Sequence, residues 1–124
     1  MKSDPANEAP ASGGDVICRA EGACGRITLN RPAKLNALTN AMRTEIAAAL
    51  KSWQRDPMIY AIVIDAEGDR AFCAGGDLRE LADLAENDPA AARASTAFEY
   101  ALNWQIECFT KPVVSLINGV CMGS

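Results

Sequence analysis

Histidine is absent from the 124 residues of this chain. That absence excludes a Ser-His-Asp or Cys-His nucleophile system, a histidine-ligated metal and an imidazole general base. The five cysteines include no Cys-x-x-Cys pair, so the sequence indicates neither a zinc site nor a thioredoxin-like motif. No bound metal is therefore expected, and any chemistry must use carboxylates, thiols, amines or backbone groups.

The chain also lacks a long apolar run and an excess of basic charge. Its longest near-apolar stretch, 113–122, is far shorter than the ~20 residues that span a bilayer. The net charge is −4, so neither nucleic acid nor an anionic membrane is expected as a partner. Because the first residues show no secretory or transit-peptide pattern and the cysteine count is odd, the sequence predicts a cytoplasmic protein with reduced thiols.

The composition divides the chain into two parts. Residues 1–14 are mainly Pro, Gly, Ser, Asn and Ala and predict a flexible leader, whereas one structured domain is expected over 15–124. The β-type runs 16–18 and 26–29 flank the turn-prone Glu21-Gly22 and predict a hairpin. Cys18 and Cys24 could face each other across this hairpin, but a reducing compartment argues against a disulfide.

Helices and apolar strands are predicted to alternate after the hairpin. Thr39 is a plausible N-cap for a helix that ends near Arg55 and buries Met42, Ile46, Leu50 and Trp53. The apolar runs 59–64 and 113–117 are typical of strands buried on both faces, and a long loop over 65–77 follows the first of them. The order β-β-α-β-α-α-β predicts an α/β layer architecture.

Asp88-Pro89 is predicted to begin a further helix. Its inward stripe is predicted from helical spacing as Ala94, Phe98, Ala101, Leu102, Gln105 and Phe109.

Each of two apolar strands leads to a glycine turn, Phe72-Cys73-Ala74-Gly75-Gly76-Asp77 and Gly119-Val120-Cys121-Met122-Gly123-Ser124. Glycine allows backbone N–H groups to approach a ligand closely. Two such turns at the ends of neighbouring strands could direct two N–H donors at one oxygen, which is the requirement for an oxyanion hole. The alternative is that these glycines only form tight turns.

Four segments in order carry a resemblance to a known family: 27–32 (ITLNRP), 35–38 (LNAL), 71–77 (AFCAGGD) and 111–123. Together they resemble the N-terminal portion of the enoyl-CoA hydratase/isomerase (crotonase) superfamily. Three further segments, 51–57, 75–79 and 99–103, are most similar to its 3-hydroxyisobutyryl-CoA hydrolase branch.

The resemblance implies a crotonase-type β-β-α spiral, truncated after the second glycine turn, that binds an acyl-CoA thioester. Coenzyme A would be part of the substrate, with no permanently bound cofactor. The resemblance assigns the oxyanion hole to the backbone N–H groups of Gly76 and Ser124, although the family usually has glycine at the second position. Contacts to coenzyme A are expected from Ala74 and Gly75 and from the segment that flanks the cleft, Leu35, Asn36, Ala37 and Leu38.

Four polar side chains near these turns allow more than one interpretation. Glu99 is either a ligand for an acyl hydroxyl, as the resemblance implies, or a solvated residue at the rim of a helix stripe. Cys73 has no basic neighbour except Arg70 and is interpreted as a packing residue. Asp77 is expected to be an N-cap, and Arg79 either meets the phosphates of coenzyme A or faces solvent.

The resemblance implies hydrolysis of 3-hydroxyisobutyryl-CoA, a step of valine breakdown, by a homo-oligomeric parent protein. The family's catalytic carboxylates would follow Ser124, so the chain alone is expected to be inactive. One alternative is an enoyl-CoA hydratase or isomerase, which would use the same oxyanion hole to stabilise an enolate. Another is a non-catalytic truncated fragment.

Overall fold

The computed structural model describes residues 13–123, so most of the predicted leader and Ser124 lie outside the described residues. The elements in chain order are β1 (Val16–Glu21), β2 (Cys24–Leu29), a 3-10 turn (Pro32–Lys34), α1 (Asn40–Gln54), β3 (Ala61–Ala66), β4 (Ala71–Cys73), α2 (Leu78–Asn87), α3 (Pro89–Glu107), β5 (Val113–Ser115) and β6 (Val120–Cys121). The predicted α/β class is confirmed.

The strands form two sheets, and each sheet contains parallel strands. The larger has the order β1-β2-β3-β5, with an antiparallel β1–β2 hairpin followed by parallel pairs, and the smaller pairs β4 with β6 in parallel. The hairpin register places Cys18 opposite Ile27 and Cys24 opposite Glu21. Cys18 and Cys24 therefore do not face each other, and all five cysteines are free.

Helix α1 forms as the sequence predicts. The Thr39 side chain accepts a hydrogen bond from the Met42 N–H group, so it caps the helix. The predicted face is buried against the β1–β2 hairpin, where a Cβ atom on Gly25 would overlap the Trp53 ring. The core cluster consists of Val16, Ile27, Leu29, Met42, Ile46, Leu50, Trp53, Ile59, Ile62, Phe72, Cys73 and Leu102.

The stripe predicted for α3 is wrong at two positions. Ala94 and Ala101 are exposed, whereas Ala92, Ser95 and Leu102 are buried. The reason is that α3 meets α1 partly through polar groups, since the Ser95 hydroxyl donates to Asn40 Oδ1 at 2.9 Å. Apolar content alone therefore did not define the buried face.

Two strand predictions also differ from the structure. The segment 65–77 is not only a loop, because it contains the short strand β4. The run 113–117 is not buried on both faces: Val114, Leu116 and Ile117 are 47%, 52% and 58% exposed. Strand β5 lies at the edge of its sheet, so only one neighbouring strand lies beside it.

Within 13–123, no helix is both long and apolar enough to cross a membrane.

Candidate active site

The parallel pairing of β4 with β6 brings the two glycine turns together. Ala71 lies opposite Val120 and Cys73 opposite Cys121, and the Met122 N–H group donates to the Cys73 carbonyl at 2.9 Å. Because the strands are parallel, both turns follow the carboxyl ends of the strands, at the same end of the small sheet. The predicted juxtaposition of the two turns is therefore present as far as Gly123.

Backbone crowding explains why the turns contain glycine. Gly75 and Gly123 have φ values of +91° and +79°, in the left-handed region that favours glycine. A Cβ atom on Gly75 would lie 2.9 Å from the Met122 carbonyl oxygen, and one on Gly123 would lie 2.8 Å from the Gly75 Cα atom. Any side chain at either position would separate the two turns.

The amide of Gly76 points away from the strand segment that precedes α1. Leu38 forms a parallel bridge with Gly76, in which the Leu38 N–H group donates to the Gly75 carbonyl and the Asp77 N–H group donates to the Leu38 carbonyl. Successive amides of extended backbone point to opposite sides. No acceptor within residues 13–123 is bonded to the Gly76 N–H group, so it is available to a ligand.

A cavity of about 360 Å³ lies against the first turn and α3. It is lined by Arg43, Ala74, Gly75, Gly76, Asp77, Leu78, Glu80, Leu81, Ser95, Thr96, Glu99, Tyr100, Met122 and Gly123. The structure thus brings four predicted site residues, Ala74, Gly75, Gly76 and Glu99, around one space. Ser124, the second predicted donor, is not among the described residues, and its role stays a prediction.

Glu99 is held in the wall of this cavity by a buried arginine. Its Oε2 atom accepts a hydrogen bond from Arg43 Nη2 at 3.0 Å, and the Arg43 side chain is only 4% exposed. The Glu99 side chain is 23% exposed. It lies on the same helix face as Ser95 and Leu102 rather than at a solvated rim.

Backbone hydrogen bonds join the segment Leu35–Leu38 to the first glycine turn. The Leu35 carbonyl accepts from the Ala74 N–H group at 3.0 Å, next to the Leu38 bonds described above. Asn36 is fully buried and has a φ value of 55°. Its Oδ1 atom accepts a hydrogen bond from the Arg31 N–H group. Its Nδ2 atom donates to the carbonyls of Glu67 and Ala71. Leu35, Asn36 and Ala37 do not line the cavity.

A second cavity of about 240 Å³ adjoins the first on the apolar side of the turns. Leu38, Met122 and Gly123 are in its wall, and the last two also line the larger cavity. Phe72 and Leu102 contribute further apolar surface. The smaller, mainly apolar cavity therefore adjoins the larger one at the second glycine turn, where Met122 and Gly123 line both.

The remaining polar residues near the turn have structural roles. Asp77 caps α2 and forms an ion pair with Arg31 at 2.8 Å; the N–H group of Glu80 and the Arg31 guanidinium hold the pKa of Asp77 below its ordinary value. Burial raises the pKa of the Cys73 thiol, which disfavours the nucleophilic thiolate. Arg79 is exposed.

Sequence reasoning did not identify Arg43 as part of the site. A signal was available, because Arg43 stands three residues before Ile46 and seven before Leu50, on the buried face of α1. A charged residue at such spacing is costly to bury without a partner, so it indicates a polar contact. The partner, Glu99, is 56 residues away and could not be found from spacing.

The β-β-α arrangement with paired glycine turns above a cavity is the crotonase fold. Similar solved structures are an enoyl-CoA hydratase from Rhodobacter sphaeroides, with a TM-score of 0.81 and 51% identity, and a carnitinyl-CoA dehydratase from Mycobacterium thermoresistibile, with a TM-score of 0.82 and 40% identity. Each match covers 86% of this chain, and 32% and 31% of the respective solved chains.

The chain belongs to the enoyl-CoA hydratase/isomerase family, whose model matches residues 24–124. It is similar to the mitochondrial 3-hydroxyisobutyryl-CoA hydrolases of Gallus gallus, at 42% identity, and Homo sapiens, at 41%. These matches cover 90% and 88% of this chain but only 29% and 28% of the relatives. The chain thus spans less than a third of the length of these curated relatives.

The relatives contradict the cytoplasmic location predicted from the sequence. Both named hydrolases are mitochondrial, as is that of Bos taurus. Reduced cysteines and the lack of a secretory pattern exclude only oxidising compartments, so they do not separate the cytoplasm from mitochondria. The lack of a transit-peptide pattern in the first residues does not separate them either, although the prediction relied on it.

Proposed function

We propose that this chain supplies the thioester-binding part of an acyl-CoA hydrolase that converts 3-hydroxyisobutyryl-CoA to 3-hydroxyisobutyrate and coenzyme A. The observation that carries the proposal is the available Gly76 N–H group beside Glu99 in one cavity. Family membership supports acyl-CoA chemistry, and the identity of about 41% to 3-hydroxyisobutyryl-CoA hydrolases supports this branch.

In this proposal the Gly76 N–H group donates a hydrogen bond to the thioester carbonyl oxygen. When water attacks the carbonyl carbon, negative charge develops on that oxygen, and a positioned donor stabilises it by about 10² to 10³ in rate. A second donor is expected from the backbone at Ser124. Breakage of the carbon–sulfur bond then releases coenzyme A as its thiol.

Glu99 would select the acyl group. A carboxylate accepts several hydrogen bonds, so Glu99 can accept one from Arg43 and another from a hydroxyl at C3 of the substrate. Its Oε2 atom lies 3.4 Å from the position of a Cβ atom on Gly76. Only a short span of acyl chain separates the carbonyl from the C3 hydroxyl, so one ligand can reach both groups.

Turnover by the chain alone is not expected. The three cavity carboxylates within residues 13–123 have other roles in this proposal: Asp77 caps α2 and pairs with Arg31, Glu80 accepts from the Asn40 N–H group at 3.0 Å, and Glu99, paired with Arg43, accepts from the substrate hydroxyl. A general base must instead reach the attacking water. The chain therefore binds the thioester but needs a base from elsewhere in the enzyme.

The test is to titrate the chain with 3-hydroxyisobutyryl-CoA, isobutyryl-CoA and free coenzyme A by calorimetry. We expect the hydroxylated thioester to bind about tenfold more tightly than isobutyryl-CoA, because a hydrogen bond to a carboxylate is strong. Glu99→Gln should reduce this preference severalfold, whereas Glu107→Gln, an exposed position at the end of the same helix, should leave it unchanged.

Two results would contradict the proposal. One is that neither thioester binds more tightly than coenzyme A itself. The other is release of free thiol by the chain alone at a rate near that of an intact relative, because this would require a base among its own residues.

A second function, hydration or isomerisation of an enoyl-CoA, is favoured by the 51% identity to the Rhodobacter sphaeroides enoyl-CoA hydratase. The same Gly76 N–H group would then stabilise an enolate oxygen. Tighter binding of crotonyl-CoA than of 3-hydroxyisobutyryl-CoA in the same titration would support this function over the hydrolase.

A further inference from the structure

Arg43 belongs to a hydrogen-bond network that joins three helices at the wall of the larger cavity. Its Nη2 atom donates to Glu99 Oε2 on α3 at 3.0 Å, and its Nη1 atom donates to Asn40 Oδ1 on α1 at 3.2 Å. The same Asn40 oxygen accepts from Ser95 on α3, and the Asn40 N–H group donates to Glu80 on α2. Arg43 is 3% exposed, so the arginine at the centre of this network is buried.

The same guanidinium lies directly against Gly76 in the first glycine turn. A Cβ atom on Gly76 would be 2.8 Å from Arg43 Nη2 and 3.4 Å from Glu99 Oε2. The φ value of Gly76 is not in the left-handed region, so its backbone conformation does not require glycine. A side chain at Gly76 would therefore have to displace the end of the Arg43 side chain.

We propose that Arg43 is a positioning residue that selects the substrate. It holds the Glu99 carboxylate beside the Gly76 residue, so that a ligand whose carbonyl is bound by the Gly76 N–H group can place a C3 hydroxyl at Glu99. This inference rests on the proposed function, because it takes the Gly76 N–H group as the thioester donor and Glu99 as the hydroxyl acceptor.

The guanidinium of Arg43 positions Glu99 better than the ammonium of a lysine would. Two different nitrogen atoms of one planar group contact Asn40 and Glu99, which fixes both the place and the direction of the carboxylate. The single nitrogen of lysine cannot occupy both places. Methionine has a stem of similar shape but donates nothing.

The test measures the ratio of dissociation constants for isobutyryl-CoA and 3-hydroxyisobutyryl-CoA with the full chain and its variants. Arg43→Met should lower this ratio from about ten to near one, and Arg43→Lys should give an intermediate ratio. Arg26→Met is the control, because Arg26 is paired with Asp65 and Glu21 on the sheet, away from the cavity, and should keep the wild-type ratio.

The ratio separates positioning from a merely structural role. A role only in packing would weaken both ligands equally and leave the ratio unchanged, and a wild-type ratio in folded Arg43→Met overturns the inference. If circular dichroism shows that Arg43→Met is unfolded, the ratio of dissociation constants is measured for Arg43→Lys. A wild-type ratio in that variant overturns the inference. A wild-type chain that binds both thioesters more tightly than coenzyme A but with a ratio of one overturns the inference while acyl-CoA binding stands. If neither thioester binds, the proposed function itself fails.

Discussion

Gly75 and Gly76 are adjacent, yet an added Cβ atom would meet different groups at the two positions. Gly75 has a positive φ and touches the backbone of Met122, which cannot move without separating the strands. Gly76 instead faces the end of the Arg43 side chain. The first glycine therefore maintains the contact between the turns, and the second makes room for the residue that orients Glu99.

Gly75→Ala should destabilise the chain by about 2–3 kcal/mol, because it adds left-handed strain to a backbone collision. Gly22→Ala is the matched control: φ there is +60°, but nothing lies within 4 Å of the added Cβ atom. The control should cost about 1 kcal/mol from strain alone. Urea unfolding measures both, and equal losses would show that the Met122 contact is not tight.

Helix α2 depends on a cap that also carries charge. The Asp77 side chain accepts from the N–H groups of Arg79 and Glu80 and is paired with Arg31, which in turn donates to the Ala37 carbonyl. The cap therefore fixes the start of α2 relative to the segment Leu35–Leu38, which is hydrogen-bonded to the first glycine turn.

Asp77→Asn keeps a good N-cap but removes the charge, so it should cost about 1 kcal/mol at neutral pH. The folded chain lowers the pKa of Asp77 from 3.8, so this carboxylate's stabilisation is complete above that pH and is lost as pH falls through the lower folded-state pKa. Unfolding of the variant below pH 4 should accordingly be less pH-dependent than that of the wild type.

The control for the charge is Asp88→Asn, at the cap of α3, where no cation within residues 13–123 is paired with the carboxylate. It should change neither the neutral stability nor the acid dependence to the same extent. Identical acid profiles for wild type and Asp77→Asn would contradict the account of Asp77.

The elements differ in how far the sequence could predict them. Helix α1 has a capping threonine and a buried face that is apolar except for Arg43, so local signals determined it from Thr39 to Gln54. Strand β4 is three residues long and exists because β6 pairs with it, which no local pattern shows. The buried face of α3 depends on the partner of Ser95, and the exposure of Val114 depends on the edge position of β5.

The candidate site shows the same division between local and distant signals. Both glycine turns were found from sequence because each follows an apolar run. Their contact depends on the register of β4 with β6. Arg43 and Glu99 are 56 residues apart in the sequence, so only the packing of α1 against α3 reveals the pair.

Taken together, the larger sheet and α1 form the core, and the small β4–β6 sheet holds the two glycine turns beside the cavity. The site depends on two distant parts of the chain meeting: the turn at Gly75-Gly76 and the turn at Met122-Gly123. The chain spans 29% of its Gallus gallus relative.

The most direct test of the central claim, that the Gly76 N–H group binds the thioester oxygen, is the amide resonance of Gly76 in ¹⁵N-labelled chain. On addition of 3-hydroxyisobutyryl-CoA its proton signal should shift downfield, as expected for a new hydrogen bond, and coenzyme A alone should leave it in place. An unchanged Gly76 signal at saturating thioester, or the same shift with coenzyme A, would contradict the account.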